Sequence, residues 1–246
     1  MKKVILISVV LSCIVIVSKA QDKAFHKGVI SADLGVGIAI YGTKSHTEYD
    51  STIYGASGNT VTRVIKDKKD AAASSIIPIG IEYGVTDWLG IGARFGYSKY
   101  IASTSYDTVN GTAVGFKPKV TAIDFGLSVN FHLVKSKRFD MPIGLLIGYS
   151  HFNYRQNNPD TNPVGSPDNG NTIGKDGGLG YGIMLTPRIY FGDHIGMFIN
   201  VGYMGYSYSN LSFSNNSDSN LNDNNNWKFS LKGNGFNMGI GLVAKF

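Results

Sequence analysis

The sequence predicts an all-β fold: an eight-stranded antiparallel transmembrane β-barrel with short turns at one end and long loops at the other. Three observations carry this expectation. Apolar side chains recur at every second position in eight segments of about ten residues, the spacing of strands rather than helices. Within those segments one alternating set is large (Ile, Leu, Val, Phe, Tyr), while the other is mostly Gly, Ser, Ala and Asn. The connections between segments also alternate, tight turns with long polar stretches.

Residues 1–20 read as a signal peptide and 21–246 as the barrel domain. Lys2 and Lys3 are followed by the apolar run Val4 to Val17, of about 14 residues. That is short for a membrane helix and right for an export leader. Ser18-Lys19-Ala20 ends on a small residue, which places cleavage before Gln21. The alternatives are an uncleaved anchor, disfavoured by the short run, and lipoprotein processing at Cys13, disfavoured because the apolar run continues past it. The leader takes Lys2, Lys3 and Lys19 with it, leaving 20 basic against 17 acidic residues. Such a mild excess does not suggest nucleic acid. Cys13 is the only cysteine, so the mature domain is expected to hold no disulfide and no thiolate metal site. No cofactor is expected.

The first strand runs near Ile30 to Tyr41, with Ile30, Leu34, Val36, Ile38 and Ile40 on its large face. Ile77–Gly84 and Leu89–Ser98 follow, joined by Val85-Thr86-Asp87, and then Ile123–His132. A basic turn, Lys135 to Arg138, leads to Ile143–Ser150, where the phase blurs at His151-Phe152 and suggests a bulge. In the sixth strand, Leu179 to Ile189, Pro187 removes a ladder hydrogen bond, so a second bulge is expected there. Ile195–Met204 comes after Gly192-Asp193-His194, and the eighth strand is the closing GFNMGIGLVAKF. The polar connections are 43–75, 102–119, 156–177 and the Asn-rich 210–233.

Size sorting decides which face looks out. The lumen of an eight-stranded barrel has little room, so the large set must face outward and the glycine-rich set inward. That arrangement suits hydrocarbon rather than water, and hydrocarbon in turn requires a closed sheet with no unpaired edge. Tyr83, Trp88, Phe131, Phe191 and Phe246 at the short-turn end, with Tyr97, Tyr149 and Tyr203 at the other, match interfacial girdles.

The inward phase carries Asp33, Glu82, Arg94, Asp124, Arg188 and Lys245. Unpaired charges in a narrow lumen are costly, so these six are expected to form a salt-bridge network, with Glu82 facing Arg188 and Asp33 level with Arg94. Such a network is either internal glue or the gate of a narrow pore. Met184, Phe198, Met204, Tyr206 and Tyr208 also point inward, as lumen packing or as a site for a small apolar ligand. GIGARFG (90–96) lies within a strand with no helix after it, so it is not a dinucleotide loop. The IKDKKD stretch (65–70) reads as a solvated loop tip that could touch anionic lipopolysaccharide.

In pattern, over the whole of 21–246, the chain resembles the small outer-membrane β-barrels of Gram-negative bacteria, of the outer membrane protein A and X type. The resemblance implies short turns in the periplasm, long extracellular loops and location in the cell outer membrane. It also implies that the barrel-assembly machinery reads the last strand, with Met238, Ile240, Leu242 and Phe246 as the signal. Unlike outer membrane protein A, the chain shows no peptidoglycan-binding domain after the barrel. The expected partners are outer-membrane lipid and lipopolysaccharide, and an extracellular partner met through loops 43–75 and 210–233.

Three functions compete. The first is a non-enzymatic barrel with a structural, surface-interaction or adhesion role, its lumen closed by salt bridges. The second is a narrow, porin-like channel or small-ligand transporter. The third, a lipid-modifying barrel enzyme, is disfavoured: no histidine has Ser two residues on, and neighbouring Ser150 and His151 must point to opposite faces.

Overall fold

The computed structural model describes residues 23–55, 58–101, 105–109, 112–116, 119–156, 172–209, 211–215 and 228–246. The leader expected at 1–20 and residues 216–227 of the Asn-rich connection lie outside these.

One antiparallel sheet closes on itself. Its staves are β1 (Ile30–Gly55), β2 (Gly58–Gly84), β3 (Leu89–Ile101), β6 (Lys119–Lys135), β7 (Phe139–Gln156), β8 (Thr172–Leu185) continued by β9 (Arg188–Tyr190), β10 (Ile195–Tyr208) and β12 (Lys228–Lys245). The short β4 (Ser105–Val109) and β5 (Thr112–Phe116) pair with each other, and β11 (Ser212–Asn215) adds to β8. The seam lies between β1 and β12, in register from Ser31 opposite Lys245 to Glu48 opposite Lys228. Ile30 and Phe246 exchange both backbone hydrogen bonds, at 3.0 and 2.8 Å, so the ring leaves no free edge at the seam.

The sorting of side chains is uniform around the ring. Leu34, Val36, Ile38 and Ile40 of β1 are 55–63% exposed, and Leu127, Ile147, Ile199 and Leu242 on other staves are comparably bare. A contiguous apolar belt of this extent far exceeds what a water-soluble monomer exposes; it is the face of a barrel solvated by lipid. Trp88 stacks on Phe131 (6.1 Å) at the short-turn rim, and Tyr203 packs edge-on to Phe236 (5.2 Å) towards the other.

Three details differ from the sequence expectation. Residues 43–75 are not an irregular loop: β1 and β2 stay paired to Gly55 opposite Gly58, with β12 alongside β1 as far as Glu48 and a two-stranded ribbon rising beyond it. At Pro187 there is no bulge. Leu185 opposite Val201 and Arg188 opposite Phe198 keep one register, as do Leu185 opposite Ile143 and Arg188 opposite Asp140. The missing N–H simply interrupts the strand, while the Pro187 carbonyl still accepts from the Ile199 N–H at 3.1 Å. At His151-Phe152 the ladder is also unbroken; the register slips instead between His132 and Val134.

The ribbon carries its own polar contacts. His46 places Nδ1 2.6 Å from Asp67 Oδ1 and Nε2 3.1 Å from Glu48 Oε1, and Glu48 pairs with Arg63. The hydrogen bond with Asp67, then that with Glu48, raises the His46 pKa above 6.5. A raised folded-state value stabilises the ribbon fully below the ordinary histidine pKa, and the contribution is lost as pH rises through the elevated value. The His46 ring resonances of the folded protein should therefore titrate above 6.5, and Asp67→Asn should move that midpoint down.

Candidate functional site

The lower lumen holds one buried ion cluster. Arg188 enters from β9, just past Pro187, and is 1% exposed. Its Nη1 lies 2.8 Å from Glu82 Oε2 and 3.6 Å from Asp140 Oδ2, and its Nη2 lies 3.8 Å from Asp33 Oδ2. Arg94 approaches the same Asp33 oxygen at 3.9 Å. His132 bridges the two remaining carboxylates, with Nε2 2.8 Å from Glu82 Oε1 and Nδ1 2.8 Å from Asp140 Oδ1. A carboxylate oxygen faces each ring nitrogen, so a ring carrying hydrogen on both nitrogens satisfies both contacts. Asn130 Nδ2 donates to Glu82 Oε1 at 2.8 Å. Glu82, Asp33 and Asp140 are thus faced by Arg188, Arg94 and His132, three acidic side chains against three basic ones. Glycine makes the room: a Cβ at Gly80 would lie 2.6 Å from Asp33 Oδ2, and one at Gly90 would overlap Glu82 Oε1.

Residues 23–29 cap this cluster from the short-turn end. Ala24, Phe25 and Val29 are each 1% exposed. Phe25 stacks on the His132 ring at 3.3 Å between centroids, and Ala24 packs with Tyr190, Phe198 and Val243. Backbone bonds anchor the segment: Ala24 N–H to Ser136 O (2.7 Å), Gly28 N–H to Gly84 O (2.8 Å) and Gly84 N–H to Val29 O (2.8 Å). Gly28 takes a φ of 86°, the left-handed turn glycine allows, and leads the chain from the cap into β1. Gly84 is required for a different reason: a Cβ there would overlap the His26 carbonyl and lie 3.2 Å from Phe25 Cζ.

The upper lumen is closed by aromatic rings. Tyr41, Phe152, Tyr206 and Tyr208 are buried and interlock, with Tyr41 edge-on to Tyr206 at 5.6 Å and Phe152 5.3 Å from Tyr208. Asp124 accepts from the Ser150 hydroxyl and from Tyr206 Oη (3.1 Å), and Ser150 Oγ lies 2.7 Å from Tyr208 Oη. Between this layer and the ion cluster is a cavity of about 70 Å³, lined by Arg94, Asp124, Met184, Asn200, Tyr206 and Asn237 among others. Asn200 Oδ1 and Asn237 Oδ1 are buried there without a hydrogen-bond partner among the described residues, so a mostly apolar space large enough for several waters offers them two acceptors. A second cavity, of about 330 Å³, lies on the far side of the rings, bounded by Tyr41, Tyr100, Phe152 and Leu231.

Of the six inward charges expected to form one network, Asp33, Glu82, Arg94 and Arg188 meet. Asp124 instead belongs to the tyrosine layer. Lys245 lies beside the cap, with Nζ 3.3 Å from Lys23 O and 4.7 Å from the Tyr190 ring centre. His132 and Asp140 complete the cluster and were not assigned to it from sequence. The inward phase of His132 was legible in its strand; Asp140 precedes the alternating run of its strand and gives no periodic signal. The five inward apolar and aromatic residues also separate: Phe198 faces the cap, Met184 lines the middle cavity, and Met204, Tyr206 and Tyr208 pack together above. Of the last-strand set, Met238, Ile240 and Leu242 are 47–60% exposed on the outer wall, and Phe246 ends the seam.

No family model and no curated protein matches the chain. Among solved structures it is similar to the outer membrane protein OprG from Pseudomonas aeruginosa, with 12% identity, 90% of this chain and 97% of that one covered, and a TM-score of 0.49. Similarity extends to Ail, the attachment invasion locus protein of Yersinia pestis (12% identity, 89% and 99% covered, TM-score 0.43). It also extends to the outer membrane protease OmpT from Escherichia coli (11% identity, 89% and 97% covered, TM-score 0.44). Identities this low concern architecture alone, and the architecture rests on the ring itself. By its closed seam, bare apolar belt and charged, plugged interior, the chain is an eight-stranded transmembrane β-barrel with the fold of small outer-membrane barrels.

Proposed function

We propose that this protein is a non-conducting outer-membrane barrel that acts at its long-loop end, as a rigid scaffold with a surface-interaction or adhesion role. The observation that carries this reading is obstruction of the lumen at successive depths: the 23–29 cap, the ion cluster it covers and the interlocked tyrosines above. A path for solutes would have to break all of them. What remains free to act is the outside, where the β1–β2 ribbon projects on the barrel's long-loop side. In this reading export delivers the chain to the periplasm, and the assembly machinery engages the outward Met238, Ile240, Leu242 and the terminal Phe246.

Reconstitution into planar bilayers tests the proposal. The expected result is no steady single-channel current at moderate voltage. A reproducible conductance that Arg94→Ala alters would overturn it in favour of the gated narrow channel.

A further inference from the structure

The outer wall carries a row of lysines that have no ion-pair partner among the described residues. On paired strands Lys44 of β1 lies opposite both Lys232 of β12 and Lys69 of β2, all three exposed and in the outward phase. Like charges directly opposite one another on neighbouring strands repel, so an outside anion bound across the row would relieve it. The nearest outward carboxylates are already engaged: Glu48 with Arg63, and Asp67 with His46. Asp70, next in sequence to Lys69, is paired with Lys68 at 3.0 Å.

The height of the row identifies the anion. Below Lys44 and Lys232 come Gly42 and Asn234, and below those Ile40 and Phe236, which are 63% and 68% exposed at the top of the apolar belt. Four residues of strand separate Lys44 from Ile40, roughly 13 Å along the chain and less along the tilted barrel axis. The ammonium groups therefore sit at the level of lipid headgroups. Beside them a groove of about 400 Å³ is lined by Lys44, Lys69, Lys232, Tyr181, Ser207 and Asn234, and by Asp70, whose carboxylate is held by Lys68. Tyr181 makes its floor by lying across Gly205, where a Cβ would come 2.5 Å from the ring. Three cations, a phenol, a hydroxyl and an amide above hydrocarbon match a phosphate carried on a lipid.

We propose that Lys232, Lys44 and Lys69 form a site for the phosphate groups of an anionic outer-leaflet lipid, a phosphorylated glycolipid of the lipid A type. This rests on the outer-membrane reading above, with the long-loop end facing out. The test is native mass spectrometry of the purified protein in detergent with bisphosphorylated lipid A, dephosphorylated lipid A or inorganic phosphate. The parent protein should retain the bisphosphorylated lipid alone. The triple variant Lys44→Gln, Lys69→Gln, Lys232→Gln should bind it roughly a hundredfold more weakly, about fivefold per lysine, and the triple Lys→Arg variant should keep it. Undiminished retention by the Gln variant, equal retention of dephosphorylated lipid, or equal binding of inorganic phosphate would overturn the site. A barrel that stays folded on an unheated denaturing gel yet retains no lipid refutes the lysine site alone; a chain that shows no folded band refutes the barrel reading beneath it.

Discussion

Arg188→Met should destabilise the barrel by about 3–5 kcal/mol, the range for removing one partner from a buried ion pair. Arg188 is 1% exposed and is the only described cation within 4.0 Å of all three carboxylates of the cluster. Its loss leaves Glu82, Asp33 and Asp140 facing only Arg94 and His132, an uncompensated negative charge sealed beneath Phe25. Urea unfolding of the barrel in lipid vesicles is the measurement. Arg188→Lys should recover only part of the loss, because an ammonium cannot present two nitrogens to separate carboxylates as the guanidinium does. Adding Glu82→Gln to Arg188→Met should cost less than the two changes summed, by about 0.5–3 kcal/mol of coupling. Additive costs would show that the two residues act independently.

The second large effect is expected at the cap. Phe25→Ala should cost about 3 kcal/mol, at the lower end for deleting a fully buried aromatic, and it should uncover His132. In the parent protein the His132 ring N–H resonance should be protected from exchange with water; in the Phe25→Ala variant it should exchange rapidly from the short-turn side. Gly84→Val reaches the same end from the wall, since its side chain must overlap the His26 carbonyl and crowd Phe25. If His132 stays protected in both variants, the cap is not what seals the cluster.

The residues show why some of this was legible in the sequence and some was not. Where one face meets lipid and the other a tight lumen, alternation is strong, and Leu34 to Ile40 or Ile77 to Tyr83 announce their strands. Beyond the belt both faces of β1 and β2 meet water. Stretches such as Lys44 to Asp50 and Arg63 to Asp70 then lose their apolar alternation although their backbone pairing continues. Polarity there looked like a loop and was a ribbon. The inward phase of Glu82, Arg94 and Arg188 could be read from their neighbours, but not the third dimension that sets Asp124 among tyrosines and Lys245 beside the cap. Phe25 lies ahead of the first periodic segment, so nothing in its surroundings marks it as a plug. Pro187 was visible, but its consequence depended on partners across the ladder that a single strand does not reveal.

The seam has a kinetic consequence. Its contacts join residues near 30 to residues near 245, the largest sequence separation of any strand pair in the ring, so contact order concentrates at a single line. None of those hydrogen bonds can form until β12 has been delivered, and until then β1 and β10 both present unpaired edges. Closure must therefore come late and as one cooperative event, and a chain stalled short of β12 is a half-pipe that hydrocarbon rejects.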